Sequence, residues 1–398
     1  MSVYKNTLLP SHGQNFDMQR DSRFFVNGLP PKTQRRKLTA KQQQLILHKL
    51  STKMNDLFKN FDAFEDLHGS KTIEKSPFPI DAVFTWVQNT PEHENSRKEY
   101  SLQCKGAKKP TDNNNNRYND NDELKYAIRS IYKNAPWFRN IFIIVDDQQC
   151  PQWLTDTSAN APIPTVIVPH SFLYGAEFKH HLPTFNSQSI ECHLHRINGL
   201  ADHFVYFNDD MFINQPVSWL TFFTSNKEPK YTFTGVVKTG PKTENLCKHT
   251  VAWMNNCIVL DKVFPRTAGK ERKHAAHQCV PMLKKSFEQV WEHSLLSKYL
   301  HITSASRFRD MNNMYIIGFL THWNINLNLS VESHTPTLFV QVTDATNVFE
   351  IAQIILERRP ILLCLNDGLL RKRTQSGHLV RVMLDNLFPK ISPVEKFM

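Results

Sequence analysis

Glycine is scarce, 12 in 398 residues, and no short repeat period is visible, which argues against a repeat architecture. No Cys-x-x-Cys pair occurs. The seven cysteines (Cys104, Cys150, Cys192, Cys247, Cys257, Cys279 and Cys364) are odd in number and scattered. That pattern argues against a zinc ribbon or a disulfide framework and makes a reducing cytosol the simplest setting. The start, "MSVYKNTLLPSHGQ", has no apolar core, so no signal peptide is expected. No stretch approaches the apolar length of a membrane span; the longest runs, such as "NIFIIV", suit buried strands. His-Glu-x-x-His is absent as well, so the paired histidines of "HLHR" (His193, His195) and "HAAH" (His274, His277) do not make a zinc motif. Most of the eighteen histidines are expected on the surface or in structural hydrogen bonds.

Positive charge is plentiful, +11 net, but unevenly placed. Residues 20–60 hold ten Lys and Arg against two Asp; the remainder is near balance, 38 against 35. A wide nucleic-acid-binding face is therefore not expected. The pattern reads as a basic arm on a neutral body. Residues 1–38, with the run "GLPPKTQRRK", read as loop. From Thr39, Leu47, Leu50, Met54, Leu57, Phe58 and Phe61 recur at spacings of three and four, an amphipathic helix. Its stripe either docks on the body or belongs to an arm that meets polyanions or anionic lipid.

Beyond the turn-rich "HGSKTIEKSPFP", strand and helix patterns alternate. Strands are expected at "IDAVFTWV", "IFIIVDD", "TVIVPH" and "HFVYFNDD". Helices are expected at "ELKYAIRSIYKNAPWF", ended by Pro136, and at "SQSIECHLHRIN". A hydrophilic loop separates the first strand from the first helix. This alternation predicts an α/β fold with a mostly parallel sheet. Further along, "YTFTGVV" and "NCIVL" read as strands, and "VPMLKKSFEQVWEHSLLSKYL" as a long helical region. "ILLCLNDG" reads as one more strand returning to the sheet. The expected division is an N-terminal extension over 1–76 and a catalytic domain over 77–398, with a helical insertion at about 262–330.

Three strands end in acidic or amide residues: Asp146-Asp147, Asn208-Asp209-Asp210 and Asn366-Asp367. In open α/β sheets ligands bind outside the carboxyl ends of strands. Each pair alone suits a turn or helix cap. Three in one chain point to a cation, and all-oxygen ligands imply a hard one, Mg²⁺ or Mn²⁺. Asp209, Asp210 and Asp367 are the expected ligands, with one of the adjacent pair free to bind a sugar hydroxyl instead. Arg307 and Arg309 in "SRFRD" can clamp a phosphate or pair with carboxylates.

Taken in order, these blocks resemble a known family. "IDAVFTWV", "RYNDNDELKYAIRSIYKNAPWFRNIFIIVDDQQCPQWL", "HLPTFNSQSIECHLHRINGLADHFVYFNDDMF", the "HAAH…P" block and "CLNDGL" resemble the conserved blocks of the Stealth proteins, from about Ile80 to Pro393. These are sugar-1-phosphate transferases, among them bacterial capsular polysaccharide phosphotransferases and the animal N-acetylglucosamine-1-phosphotransferase. The resemblance implies a GT-A-like, Rossmann-like sheet and a divalent cation. It also implies transfer of a hexose-1-phosphate, expected to be an N-acetylhexosamine-1-phosphate, from a UDP-sugar to a capsular polysaccharide hydroxyl, with release of UMP. The family's Asn-Asp-Asp falls on Asn208-Asp209-Asp210, its first-block aspartate on Asp81, its histidine on His277, its arginine on Arg309 and its last acidic block on Asn366-Asp367. His277, Asp210 and Arg309 are then the expected catalytic residues, with His277 as base. Substrate-binding roles are expected for Asp81, Trp86, Arg117, Asn121, Asp122, Arg129, Asn186, Asn208 and Arg307. Two departures stand out: Gln88-Asn89 where relatives read Asp-Gly or Asn-Gly, and Asn312-Asn313 where they often carry acids. The expected location is cytoplasmic, or peripheral on the inner membrane face through residues 20–60. A glycosyltransferase releasing UDP would share fold and metal, and a non-catalytic polyanion binder would need only the basic arm.

Overall fold

A computed structural model describes residues 40–62, 74–103, 115–243, 246–368 and 373–396. The loop read over 1–38, the "HGSKT" of the turn-rich stretch and residues 104–114 of the polar loop lie outside them. In chain order the elements are α1 (Ala40–Asp62), β1 (Ile80–Thr85), α2 (Pro91–Gln103), α3 (Glu123–Asn134), β2 (Ile141–Val145), β3 (Thr165–Pro169), α4 (His170–Phe178), α5 (Ser187–Glu191), β4 (His203–Asn208), β5 (Met211–Ile213), β6 (Lys230–Val236), α6 (Lys248–Val263), β7 (Lys273–Ala275), β8 (Val280–Leu283), α7 (Lys284–Glu292), α8 (Ser297–Ala305), α9 (Ile316–Asn326), β9 (Val331–Ser333), β10 (Thr337–Val342), α10 (Ala345–Arg358), β11 (Leu362–Asp367) and α11 (Arg373–Leu387).

The central sheet has the order β3-β2-β1-β4-β8, parallel except for the β4–β8 pair. β2 is buried along its whole length, and so is β1 up to Phe84. This suits parallel strands covered on both faces by helices, which read as continuous apolar runs. Side chains alternate between faces. Ala82, Phe84, Ile143 and Phe207 point into one core with α3, α10 and α11. Val83, Phe142, Ile144 and Tyr206 point into a second core with α7 and α9. α1 is the expected amphipathic helix. Met54 and Phe58 are buried in the first core, Leu50 and Leu57 pack against it, and Lys41, Lys49, Lys53 and Lys59 stay exposed. The Ser51 hydroxyl meets His378 of α11 at 2.8 Å. The stripe therefore docks on the body.

Five expectations are corrected. "NCIVL" lies inside α6, a 16-residue helix without Gly or Pro; length decides between helix and strand where an apolar run is ambiguous. "VPML" is not helical but forms β8, and its Pro281 is tolerated because β8 is the sheet's edge. "ILLCLNDG" does not return to the central sheet. As β11 it lies between β10 and β5 in a second, three-stranded sheet. The polar stretch after β1 contains α2, which opens on Pro91, a residue preadapted to a helix's first turn. "SQSIECHLHRIN" is helical only over α5, capped by the Asn186 side chain, and then tightens into a 3₁₀ turn at Leu194–Arg196.

Candidate active site

A cavity of about 660 Å³ opens outside the carboxyl ends of β1, β2 and β4. Its floor is the passage from β4 to β5. β4 ends at Asn208 and β5 begins at Met211, so Asp209-Asp210 is the turn that carries the chain from the central sheet into the second one. The Leu365 N–H donates to the Asp210 carbonyl at 3.0 Å and fixes that turn. This explains two carboxylates at the end of a buried strand: they belong to a crossing between sheets, where the strand stops. The Asn208 amide oxygen accepts from the Tyr206 hydroxyl at 2.9 Å.

More carboxylates gather here than the sequence pattern suggested. Burial pushes the Asp209 carboxyl well above the usual range, and Asp210, Glu123 and Asp120 add to it. Glu123 is pushed to about 8 by burial and by Asp120. Asp120 is raised by burial and by Asp122. In this block Asn121 and Asp122 are the residues expected to bind substrate, whereas Asp120 and Glu123 are the ones that act on Asp209. The backbone explains the difference. Asp122 sits in the left-handed region (φ 69°), an uncommon conformation for a non-glycine residue. That turn sends Asp122 to Lys125 at 3.4 Å. Asp120 meets Trp86 Nε1 at 3.2 Å. Glu123 accepts from the Asn121 amide at 2.7 Å and from the Asn121 backbone N–H.

The opposite wall carries nitrogen. His277, just before β8, lies beside Asp210. Burial holds its imidazole below the ordinary value, Asp210 opposes that shift and Arg309 adds to it. The half-exposed Phe339 ring stands edge-on to His277, centroids 5.3 Å apart. Arg309 donates to Ser187 Oγ at 2.9 Å. Its charge also reaches Glu191, which burial nevertheless raises to about 7, and His249, which burial lowers well below its usual value. Arg117, Trp86, Asn208 and Asp367 also line the cavity, and Asp367 accepts from the Asn119 amide at 2.9 Å. His249 and Glu191 carry no motif of their own in the sequence: His249 lies in the first turn of α6 and Glu191 ends α5, just before the histidines of "HLHR".

The remaining expected substrate ligands do not line this cavity, and each has another job. Asp81 is fully buried near the start of β1, about 13 Å along the strand from its cavity end. It accepts from Arg139 Nε at 2.8 Å and from the Ala201 N–H at 2.7 Å. Arg129 clamps Glu395 with two bonds, 2.9 and 2.6 Å. Arg307 donates to the Leu182 carbonyl at 3.0 Å. Asn186 caps α5 and donates to Asn313 at 2.9 Å. Asn121 serves Glu123, and Asp122 faces Lys125. Two buried histidines share a structural partner: the Ser304 hydroxyl bridges His181 and His193 at 2.7 and 2.6 Å.

The chemistry of these residues fits a cation. Asp210, His277 and Cys364 each place one ligand atom within 4.8 Å of the others. Asp210 Oδ1 is buried without a hydrogen-bond partner, and several like charges crowd around Asp209. A positive ion would relieve both. Without an ion, burial and Asp210 raise the Cys364 thiol well above its usual value. The group therefore offers one carboxylate, one imidazole and one thiol.

An open, mostly parallel sheet with acids, arginine and histidine gathered outside its strand ends defines an α/β protein of Rossmann-like build, with its ligand cleft where such folds place it. Comparison with known proteins narrows this. Residues 117–231 match Stealth protein CR2, conserved region 2. The chain is 31% identical to the capsular polysaccharide phosphotransferase LcbA of Neisseria meningitidis, over 64% of this chain and 67% of that protein. It is 28% identical to a capsular polysaccharide phosphotransferase of Haemophilus influenzae, over 74% and 80%. It is 30% identical to an exopolysaccharide phosphotransferase of Streptomyces coelicolor, over 80% of this chain but only 57% of that longer protein. A second Streptomyces exopolysaccharide phosphotransferase is spanned over 34% of its length. The chain belongs to the Stealth family. Among the described residues, no helix is long and apolar enough to cross a membrane.

Proposed function

We propose that the chain is a sugar-1-phosphate transferase. In this reading it moves a hexose-1-phosphate, an N-acetylhexosamine-1-phosphate in the simplest case, from a UDP-sugar to a hydroxyl of a growing capsular or exopolysaccharide. The observation that carries the reading is the meeting of His277 with Asp210 and Arg309 at the rim of a carboxylate-lined cleft. The relatives' printed names support the same class. The acceptor oxygen attacks the phosphorus that bears the sugar, the bond from that phosphorus to the bridging oxygen breaks, and UMP leaves with the electron pair. His277, held neutral by burial, takes the acceptor proton. Asp210 orients the imidazole and stabilises the charge it gains. Arg309 and Arg117 offset the phosphate charge. Asp209 and Asp210 would hold Mg²⁺ or Mn²⁺, which when bound neutralises the pyrophosphate and the crowded carboxylates. Trp86, Asn208 and Asp367 lie where the donor would be held.

A glycosyltransferase would use the same cleft but attack the sugar carbon and release UDP. Incubation with a panel of UDP-sugars and a short capsule oligosaccharide, followed by identification of the nucleotide, separates the two. A cytoplasmic enzyme extending such a polyanion gains from the basic residues over 20–60, which also suit an anionic membrane surface at roughly 1 kcal/mol per Lys or Arg. Reversing Arg35, Arg36 and Lys37 to Glu would then weaken use of long acceptors and binding to anionic vesicles. Unchanged values for both would remove this role.

A further inference from the structure

Phe339 takes no part in the chemistry above, yet its ring is 50% exposed and stands against the proposed base. We propose that Phe339 and Gln341, on the outward face of β10, form the subsite for the terminal pyranose of the acceptor glycan. The C–H face of the sugar lies on the Phe339 ring, and a sugar hydroxyl meets the Gln341 amide. The inference rests on the transferase reading above and adds to it the chemistry that holds the acceptor.

Strand geometry places the two side chains together. Along β10, Leu338 packs on the first core and Val340 and Val342 are buried in it, whereas Phe339 and Gln341 are exposed. Side chains alternate along a strand, so Phe339, Gln341 and Thr343 share the outward face. Gln341 and Thr343 line the cavity, and Phe339, next on that face, meets His277, which lines it too. Among the described strands β10 is an outer strand of its sheet, so no neighbouring strand covers its far side.

The spacing between ring and base is fixed by a tie from β10. The Thr337 hydroxyl bonds the Gln278 side-chain oxygen. This joins the residue after His277 to a point two residues before Phe339. The two ring centroids are 5.3 Å apart, with the planes at 79°. A pyranose resting on the Phe339 ring at a carbon–carbon distance of about 3.5–4 Å brings its hydroxyls to the His277 imidazole.

The pairing of side chains names the ligand class. A lone exposed Phe needs no explanation. This one borders a cleft whose nearby lining is polar: Asp210, Gln341, Thr343, Asn366 and Asp367. A free phosphate or a metal ion gains nothing from a phenyl ring there. A pyranose presents what both groups need. Its C–H face suits the negative face of the ring, and its hydroxyls suit an amide that donates and accepts. Gln341 is held in place over Gly368, where a Cβ would fall 2.5 Å from Gln341 Cγ; only glycine allows that approach. From Phe339 to Gln341 is roughly 7 Å along the strand, within the span of one sugar ring and its hydroxyls.

The test uses the full chain with Mg²⁺, a panel of UDP-sugars and a short capsule oligosaccharide. Phe339→Ala should raise the KM for the oligosaccharide at least about tenfold, or 1.4 kcal/mol, while the donor KM holds. Phe339→Tyr, which keeps the flat face, should stay near the parent value. Gln341→Ala should raise the acceptor KM by a smaller factor. Saturation-transfer NMR of the oligosaccharide with the unaltered chain, UMP and Mg²⁺ needs no variant. The strongest signal is expected on the ring C–H protons of the terminal sugar. An acceptor KM unchanged in either alanine variant, a Phe339→Tyr value as high as that of Phe339→Ala, or strongest saturation away from the terminal sugar overturns the subsite alone. No transfer to the oligosaccharide by the unaltered chain from any UDP-sugar overturns it together with the transferase reading.

Discussion

Replacing Glu123 with Gln is expected to make the protein more stable and less able to use a divalent ion. The Glu123 carboxyl is buried at the start of α3, and burial with Asp120 raises it from 4.5 to about 8. At pH 7 the folded state therefore keeps a proton that the unfolded chain has released. Because the folded state binds more protons, stability falls as pH rises from 4.5 through 8. From 4.5 to pH 7 is roughly 2.5 pH units, about 3 kcal/mol at 1.36 kcal/mol per unit. Gln carries no such cost, and the Asn121 side-chain amide can rotate to meet the new N–H₂. In EDTA at pH 7, Glu123→Gln should gain on the order of 2–3 kcal/mol in chemical denaturation. The gain should vanish near pH 4.5, where the native carboxyl is also neutral. Saturating Mg²⁺ should erase most of that gain, since an ion bound only by the folded state adds about 2.7 kcal/mol at a hundredfold excess over Kd. A variant less stable than the parent in EDTA at pH 7, or a gain that persists at pH 4.5, refutes the argument that these carboxylates are crowded at a cost.

Other expectations follow from single residues. His277→Ala should lower turnover by about 10²–10⁴-fold while UDP-sugar affinity holds, and Arg309→Ala should damage both; near-normal turnover in His277→Ala would move the base to another group, His274 first. Arg139→Leu leaves the fully buried Asp81 without its ion pair and should cost roughly 3–5 kcal/mol, read as a lowered Tm, with KM for the donor unchanged at permissive temperature. Burial lowers His181 to about 4, so the unfolded chain binds the extra proton and stability should drop as pH falls from 6.5 toward 4; His181→Gln should flatten that drop, and an unaltered acid limb would count against the buried, neutral imidazole.

The alternation of strand and helix was legible because each central strand is a short apolar run between polar turns, and α3 has a clear helical stripe ended by Pro136. The strand-end acids were legible for the same reason, since Asn208-Asp209-Asp210 breaks off a run of four apolar and aromatic residues, Phe204 to Phe207. What could not be read was which sheet a strand joins. "ILLCLNDG" looks like any parallel strand, yet its pairing with β5 sends it to the second sheet and sets Cys364 and Leu365 against Asp210. Nor does spacing show direction. Glu123 lines the cleft and Asp120 meets Trp86, whereas Asp122, in a left-handed conformation, turns to Lys125. Asp81 sits on a correctly placed strand, but at its wrong end. Family resemblance located the block; only the backbone tells a ligand from a brace.

The central claim is that phosphorus, not the sugar carbon, is attacked. The most direct measurement is the nucleotide released when the purified chain, Mg²⁺, a UDP-sugar and a short capsule oligosaccharide are mixed and resolved by anion-exchange chromatography. The account predicts UMP in step with a new phosphodiester on the acceptor, and loss of both in His277→Ala. UDP released with a phosphate-free glycoside would contradict it.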